Sequence, residues 1–294
     1  SLNLFPDNEI IIENIAKIYL TRKNFNLAEK YLIRLIQLSK KNIKKIIPLA
    51  LGYSYEGKEK EYKKICKLYI KNLTKDSSIF SLNTIKKKMP IISFLSPDIR
   101  NHPVGFFTKD MLPELSKRFK IVIFNTCEFE DEISIYTKNF CHWINLKTNN
   151  EYEIADAIFK KNVDVLIDSS GLTRTNNLGV FKLKPSKNQV SWAGWLASTN
   201  LKEMDYVISD HFCTRQKDEK FFTEKVLRMK NIWCTYSLSV LESLNLKKIN
   251  NSESFIIYGC FQRPEKISKK VLRTWAEILI RVKKSKIFFI NQSF

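Results

Sequence analysis

The sequence predicts an α/β protein in which helical hairpins precede a doubly wound, mostly parallel sheet and the start of a second unit of the same kind. Three observations carry this. Residues 8–73 repeat apolar side chains at helical spacing. From Ile91 onward, short runs rich in β-branched and aromatic residues alternate with amphipathic stretches, as strand–helix–strand units do. The alternation pauses over residues 237–253 and resumes at Phe255.

The first helices follow from spacing alone. Ile11, Ile15, Ile18 and Tyr19 share one helical face, and after Asn24-Phe25-Asn26 a second face follows in Leu27, Tyr31, Leu35 and Leu38. Ala16-x-x-Tyr19 recurs as Ala50-x-x-Tyr53, 34 residues later, and Ala28 falls where a second helix must pack closely on the first. This resembles tetratricopeptide repeats, whose period is 34. The second copy departs from the pattern with Tyr62 at its second small position, and an ordinary pair of helical hairpins is the alternative. Two repeats are few for a solenoid, so they are expected to lean on the next domain or to continue a longer array.

Lys86-Lys87-Lys88 and Pro90 mark the end of this region. Beyond them strands are expected at Ile91–Leu95, Ile121–Phe124, Val163–Ile167 and Gln189–Trp192, with short ones at Met204–Ser209 and Val226–Met229. Helices are expected at Phe106–Leu115 and Glu151–Lys161. Residues 237–253 read as a connection before strand Phe255–Cys260, helix Ile267–Val282 and strand Lys286–Ile290. The chain thus divides into a helical region 1–88, a first sheet domain 89–250 and the start of a second at 251–294. It is expected to continue past Phe294, because such a second domain needs on the order of 100 residues. A start at Ser1 without methionine points to a processed or excerpted N-terminus.

Composition excludes several classes. With 44% hydrophobic and 27% charged residues over 294 positions, the chain is a globular protein with ample material for a core. No apolar run reaches the length that spans a bilayer, so no membrane partner is expected. The six cysteines are scattered without a Cys-x-x-Cys pair, which argues against structural zinc and a disulfide framework and for a reducing, cytoplasmic setting. The net charge of +20 raises the question of nucleic acid. Yet the lysines are spread along the chain among abundant Ile and Asn, the pattern of A+T-rich codon usage, and no nucleic-acid-binding motif appears. No specific nucleic-acid partner is expected; a general pull on anionic ligands is.

Ligands of a parallel sheet bind beyond the carboxyl ends of its strands, so the loops there carry the candidates. The first, Ser96-Pro97-Asp98-Ile99-Arg100-Asn101-His102-Pro103, follows a buried strand and presents a histidine where a helix begins. Only three histidines exist (His102, His142, His211), so the choice of an acid–base group is narrow. A plain turn is the alternative for His-Pro. The second loop, Asp168–Thr173, is polar and contains Gly171; the third, Trp192–Thr199, has small residues between and beyond two tryptophans. The fourth, Phe261–Lys266, precedes a helix expected from Ile267. A lysine there is electrostatically disfavoured unless an anion sits beside it, which argues for Lys266, with Arg263, as a phosphate contact.

In order and spacing these pieces resemble the O-linked N-acetylglucosamine transferase/SPINDLY family of glycosyltransferases, from Ile91 to Phe294. The resemblance is carried by five blocks. They are Ser96-Pro97-Asp98 with Asn101-His102-Pro103; Gly171-Leu172-Thr173 with Asn176-Asn177-Leu178-Gly179; Pro185-x-x-x-Gln189-Val190-Ser191-Trp192-x-Gly194; Met204-Asp205-Tyr206-x-Ile208-x-Asp210; and Tyr258-Gly259-x-Phe261 with Lys266-Ile267 and Trp275-Ala276-x-Ile278-Leu279. It implies a GT-B-type fold with a Rossmann-type first lobe and a partial second lobe. It also implies inverting transfer of a sugar from a nucleotide diphosphate donor to Ser or Thr hydroxyls of an acceptor protein. By position, His102 matches the active-site histidine and Lys266 the lysine that neutralises the departing diphosphate. Whether His102 or a donor phosphate oxygen takes the acceptor proton stays open; His102 is assigned to acceptor positioning, with general base as its other role.

The implied substrate and donor contacts are Asn101, Gly171, Thr173, Gly194, Trp195, Ser198, Thr199, Gln262 and Arg263. Gln262 and Arg263 stand where the family more often has amide residues, Lys230 replaces a frequent proline, and Phe159 stands where some members carry a histidine. No metal and no cofactor are expected. The resemblance implies UDP-N-acetylglucosamine or GDP-fucose as donor. A peptide-binding module without chemistry, built from the helices and a degenerate first lobe, is the competing expectation.

Overall fold

The computed structural model describes residues 4–73, 80–81, 87–243 and 255–290. Lys86 of the expected boundary, residues 244–253 of the expected connection and residues 291–294 lie outside the described residues.

The N-terminal residues form two helical pairs: α1 (Glu9–Thr21) with α2 (Phe25–Leu38), and α3 (Ile47–Tyr55) with α4 (Glu59–Lys71). Asn8 and Asn24 cap the first pair, their side chains accepting the N–H groups of Ile11 and Leu27. A 3-10 turn at Lys40–Ile46 leads into α3, whose start carries Pro48 where no N–H is needed. Ala16, Ala28 and Ala50 are fully buried, as their small size at the helix crossings requires. Tyr62 is also buried, so the departing position still belongs to the core.

Seven parallel strands form one sheet: β1 (Ile91–Ser96), β2 (Lys120–Asn125), β3 (His142–Asn145), β4 (Val165–Asp168), β5 (Asn188–Ser191), β6 (Tyr206–Ser209) and β7 (Lys225–Arg228). Their order is β3-β2-β1-β4-β5-β6-β7. The direction of winding reverses between β1 and β4, and with right-handed crossovers this places helices on both faces. The core packs Phe94, Leu112, Ile123, Ile167, Val190 and Trp192 together. Each apolar strand ends in a buried polar residue: Ser96, Asn125, Asp168, Ser191 and Ser209. That row marks where the core stops and the ligand edge of the sheet begins.

The connecting helices are short: α5 (Pro103–Thr108), α6 (Met111–Ser116), α7 (Glu132–Thr137), α8 (Glu151–Lys160), α9 (Leu178–Lys182) and α10 (Leu238–Ser243). The single helix expected over Phe106–Leu115 is two, broken near Lys109. Pro113 explains this, since its ring displaces the carbonyl four residues earlier and it offers no N–H. Strand β3 and helices α7, α9 and α10 were not expected, α10 falling within the connection expected over 237–253; β3 is four residues long, half-exposed, and lies at the sheet edge.

The last described segment is a parallel strand–helix–strand unit of β8 (Ile256–Cys260), α11 (Lys269–Arg281) and β9 (Ser285–Phe289), with a 3-10 turn at Pro264–Lys266. By packing, residues 1–65 group with 247–294 in one compact unit, and 66–246 form the other. This division differs from 1–88, 89–250 and 251–294. The end of α4 goes with the sheet unit because Tyr69 donates its hydroxyl to Asn176 Oδ1 at 2.9 Å and Lys182 Nζ donates to the Ile70 carbonyl at 3.0 Å. Among the described residues no helix is long and apolar enough to cross a membrane.

Candidate functional site

The loop after β1 is held tightly before any ligand is considered. His102 is the N-cap of α5 in extended conformation, and Val104 N–H donates to its Nδ1 at 3.3 Å. Pro103 follows at the first helical position, where its missing N–H costs nothing. A side chain at Gly105 would put Cβ 1.8 Å from the Arg100 carbonyl oxygen, so only glycine lets α5 lie this close to the loop. Asn101 is exposed and donates its N–H to the Asp131 carboxylate, which also caps α7 through Ile133 and Ser134. Burial pushes the Asp131 carboxyl up, but these backbone N–H groups outweigh it and hold the group below its usual range.

His102 is half-buried, and burial, with the nearby Arg100 charge, lowers its pKa against the opposing pull of Asp98. The ring is therefore neutral at physiological pH. Because Nδ1 accepts the Val104 N–H, the proton sits on Nε2. Nε2–H can thus donate to a substrate oxygen. Accepting a proton there would require the other tautomer and the loss of the capping bond.

The loops after β4 and β5 pack backbone against backbone. Gly171 has φ +57°, and a Cβ there would meet Trp195 at 2.7 Å; a Cβ on Gly194 would meet the Ser170 carbonyl carbon at 2.3 Å. Both glycines therefore serve the seam between the loops. Asp168 begins this seam, fully buried, accepting the N–H groups of Ser170 at 3.0 Å and Gly171 at 2.9 Å. Burial raises its pKa to about 6; the two N–H groups pull it down and the charge of Glu224 pushes it up. The buried hydroxyls of Ser169, Ser170 and Thr173 have no hydrogen-bond partner within the protein, so polar acceptors and donors are available along the seam.

Glu224, just before β7, fixes the far end of the β5 loop. Its buried carboxylate accepts from Ser198 Oγ at 2.7 Å, from Thr199 N–H at 2.7 Å and from Thr199 Oγ1. Sequence reasoning missed it, because its partners lie 25 and 26 residues away and meet it only after β6 and β7 pair. Ser198 and Thr199, both expected ligand contacts, are buried and hold the loop through this carboxylate. Trp192 is core, edge-on to Phe94, and its indole donates to the Trp233 carbonyl at 2.9 Å. Trp195 is partly exposed on the same loop.

The structure thus gathers Asn101, His102, Gly171, Thr173, Gly194, Trp195, Ser198 and Thr199 on the loops that follow β1, β4 and β5 of one sheet. Gln262, Arg263 and Lys266 belong to the other unit. Lys266 ends the 3-10 turn and precedes Ser268, the N-cap of α11, so it does not open the helix as the electrostatic argument assumed. Its Nζ lies 5.9 Å from the centroid of the Tyr55 ring. Burial and the neighbouring Arg263 charge lower its pKa. Among the described residues no cluster of three or more His, Cys, Asp or Glu side chains is arranged to hold a metal.

Comparison with known proteins bears on the family and the fold. The model of Glycosyl transferase family 41 matches residues 48–241. SPINDLY of Solanum lycopersicum, described as a probable UDP-N-acetylglucosamine–peptide N-acetylglucosaminyltransferase, is 25% identical over 256 residues, covering 81% of this chain and 27% of its own length. The SPINDLY protein of Oryza sativa subsp. japonica is 27% identical over the same length, with the same coverage of each chain. The SEC protein of Arabidopsis thaliana, described likewise, is 22% identical over 215 residues, covering 68% of this chain and 22% of its own. This chain therefore spans about a quarter of the length of these relatives. A mutant O-GlcNAc transferase of Thermobaculum terrenum superposes with a TM-score of 0.64 at 17% identity, over 99% of this chain and 63% of that one. That likeness is one of fold, and it agrees with the GT-B-type architecture expected from the sequence.

Proposed function

The chain belongs to glycosyl transferase family 41, and from that premise we propose that the protein transfers a sugar from a nucleoside diphosphate donor to Ser or Thr hydroxyls of acceptor proteins. The observation that carries this reading is that three loops leave the adjacent strands β1, β4 and β5 at one edge of the sheet, the first of them presenting half-buried His102 as the N-cap of α5. The relatives' names favour UDP-N-acetylglucosamine as donor over GDP-fucose.

In this reading the acceptor hydroxyl attacks the anomeric carbon as the bond to the diphosphate breaks. His102 Nε2–H orients an oxygen of the reacting pair. With Nδ1 committed to Val104 N–H, the acceptor proton passes to a donor phosphate oxygen and not to His102. Lys266 and Arg263, exposed on the other unit, are the cations that the family resemblance assigns to the charge growing on the leaving diphosphate.

The test uses the full-length protein with an acceptor peptide and each donor in turn, read by mass spectrometry. A single sugar on Ser or Thr from UDP-N-acetylglucosamine, lost in His102→Ala and Lys266→Met variants that still fold, is the expected result. Transfer only from GDP-fucose reassigns the donor. Peptide binding with neither transfer nor nucleotide affinity overturns the enzyme reading in favour of a binding module.

A further inference from the structure

We propose that the helical hairpins help to bind the donor: Tyr55 and Lys23 position Arg263 and Lys266 for the diphosphate of a nucleoside diphosphate sugar. This rests on the functional reading above. It gives the helices a task beyond contact with the acceptor.

Two turns and one helix end carry the argument. In the turn between α1 and α2, Lys23 adopts φ +56° and its Nζ donates to the Ile267 carbonyl at 2.8 Å and to Glu56 Oε1 at 3.0 Å. Glu56 sits at the end of α3, in the corresponding turn 33 residues later. Each hairpin therefore contributes one charged group to a clamp on the backbone just past Lys266. Beside it, the Tyr55 ring lies under the Lys266 ammonium, 5.9 Å from ring centroid to Nζ, and the Arg263 side chain is close enough to the Tyr55 hydroxyl to oppose the rise that burial gives its pKa.

The loop is also pinned at its far end, where Ser268 accepts the Val271 N–H at 3.2 Å and caps α11. The turn from Arg263 to Lys266 is closed by its own backbone, Lys266 N–H donating to the Arg263 carbonyl at 3.0 Å. One phenol thus sets two cations side by side on a loop held from both ends. Glu56 is committed to Lys23, and Glu265 is the carboxylate within this turn. Two adjacent cations repel each other, and a ligand with two linked phosphates relieves that repulsion better than a single carboxylate does. Their proximity shows in Lys266, whose proton affinity falls through burial and through the Arg263 charge.

The experiment measures UDP and GDP binding to the full-length protein by calorimetry, together with acceptor KM and thermal melting. The variants are Lys23→Met, Tyr55→Leu, Lys23→Arg, Tyr55→Phe and Lys266→Met, the doubles of the first two with Lys266→Met, and Lys44→Met on an exposed helical position as a charge control. Lys23→Met and Tyr55→Leu are expected to weaken nucleotide binding about ten-fold, the loss of roughly one charge-assisted contact. Acceptor KM is expected to hold, and Lys23→Arg to restore affinity. In the Lys266→Met background the further loss from Lys23→Met is expected to fall below two-fold, because that clamp acts through Lys266. The loss from Tyr55→Leu is expected to shrink to the part that acts through Arg263. Tyr55→Phe keeps the ring and removes the hydroxyl, so it reports the Arg263 contact alone.

Equal losses with and without Lys266 overturn the proposal, as does unchanged affinity in both Lys23→Met and Tyr55→Leu while Lys266→Met is impaired. If Lys266→Met itself binds nucleotide as the wild type does, the functional reading of Lys266 has failed instead. Should a variant melt early, Tyr55→Phe and Lys23→Arg carry the comparison, and parity of Tyr55→Phe with wild type then counts against the proposal.

Discussion

A histidine that caps its own helix through Nδ1 has one nitrogen left for a substrate, and in His102 that nitrogen bears the proton. Asparagine can also cap a helix and donate an N–H, whereas it cannot serve as a base at neutral pH. His102→Asn should therefore retain at least ten-fold more kcat/KM than His102→Ala, about 1.4 kcal/mol of transition-state stabilisation. Equal inactivity of the two variants would return the base role to His102. A second expectation concerns Asp168, whose pKa rises from 3.8 unfolded to about 6 folded. Between those values the folded protein holds a proton that the unfolded chain has lost, so stability falls as pH rises from 4 to 6. Urea unfolding at pH 4 and pH 7 should show wild type losing about 2 kcal/mol more than Asp168→Asn across that interval. A loss of the same size in both would place the titration elsewhere. His102 could be read in the sequence because only three histidines exist and this one follows a strand within a dense motif. The burial of Asp168 and the role of Glu224 could not, since both depend on strands that come together only in the folded sheet.

The loops after β4 and β5 work as one piece, because glycine on each side removes the side chain that would hold them apart. Gly194→Ala drives a methyl group into the Ser170 backbone and should cost about 3 kcal/mol, measured by urea unfolding. The Glu224 anchor gives a different signature. Glu224→Ala leaves the Thr199 N–H and two hydroxyls buried without an acceptor, a loss of roughly 3 kcal/mol, whereas Glu224→Gln keeps an acceptor oxygen and should recover much of it. If Gln is no better than Ala, charge and not hydrogen bonding holds the loop. Strand positions were readable where apolar runs are continuous, as in β1, β2 and β4. They were not readable in β3, where His142-Trp143-Ile144-Asn145 shows neither a continuous apolar run nor a buried face. The break between α5 and α6 was signalled by Pro113 but masked by the helical spacing on either side of it.

Taken together, the strand–helix–strand unit of residues 255–290 packs with the helical hairpins, a grouping that no sequence boundary announced, because Lys23 and Tyr55 carry no motif pointing to residues some 200 positions away. The sheet unit has a core of its own, so residues 66–246 expressed alone should unfold cooperatively in a single transition, followed by circular dichroism. Loss of cooperativity would show that its core depends on the other unit. The charge of +20 should give non-specific binding to heparin that collapses with a steep salt slope; binding that persists at high salt would point to a dedicated site. The strand order also sets a timetable for synthesis. The central pair joins β1 to β4, with Leu95 opposite Asp168, although β2 and β3 lie between them in the chain. A nascent chain can pair β1 with β2 early, yet the middle of the sheet stays open until β4 has left the ribosome. During that interval the apolar edge of β1 is exposed, and a chaperone that shields extended strands would find its substrate there.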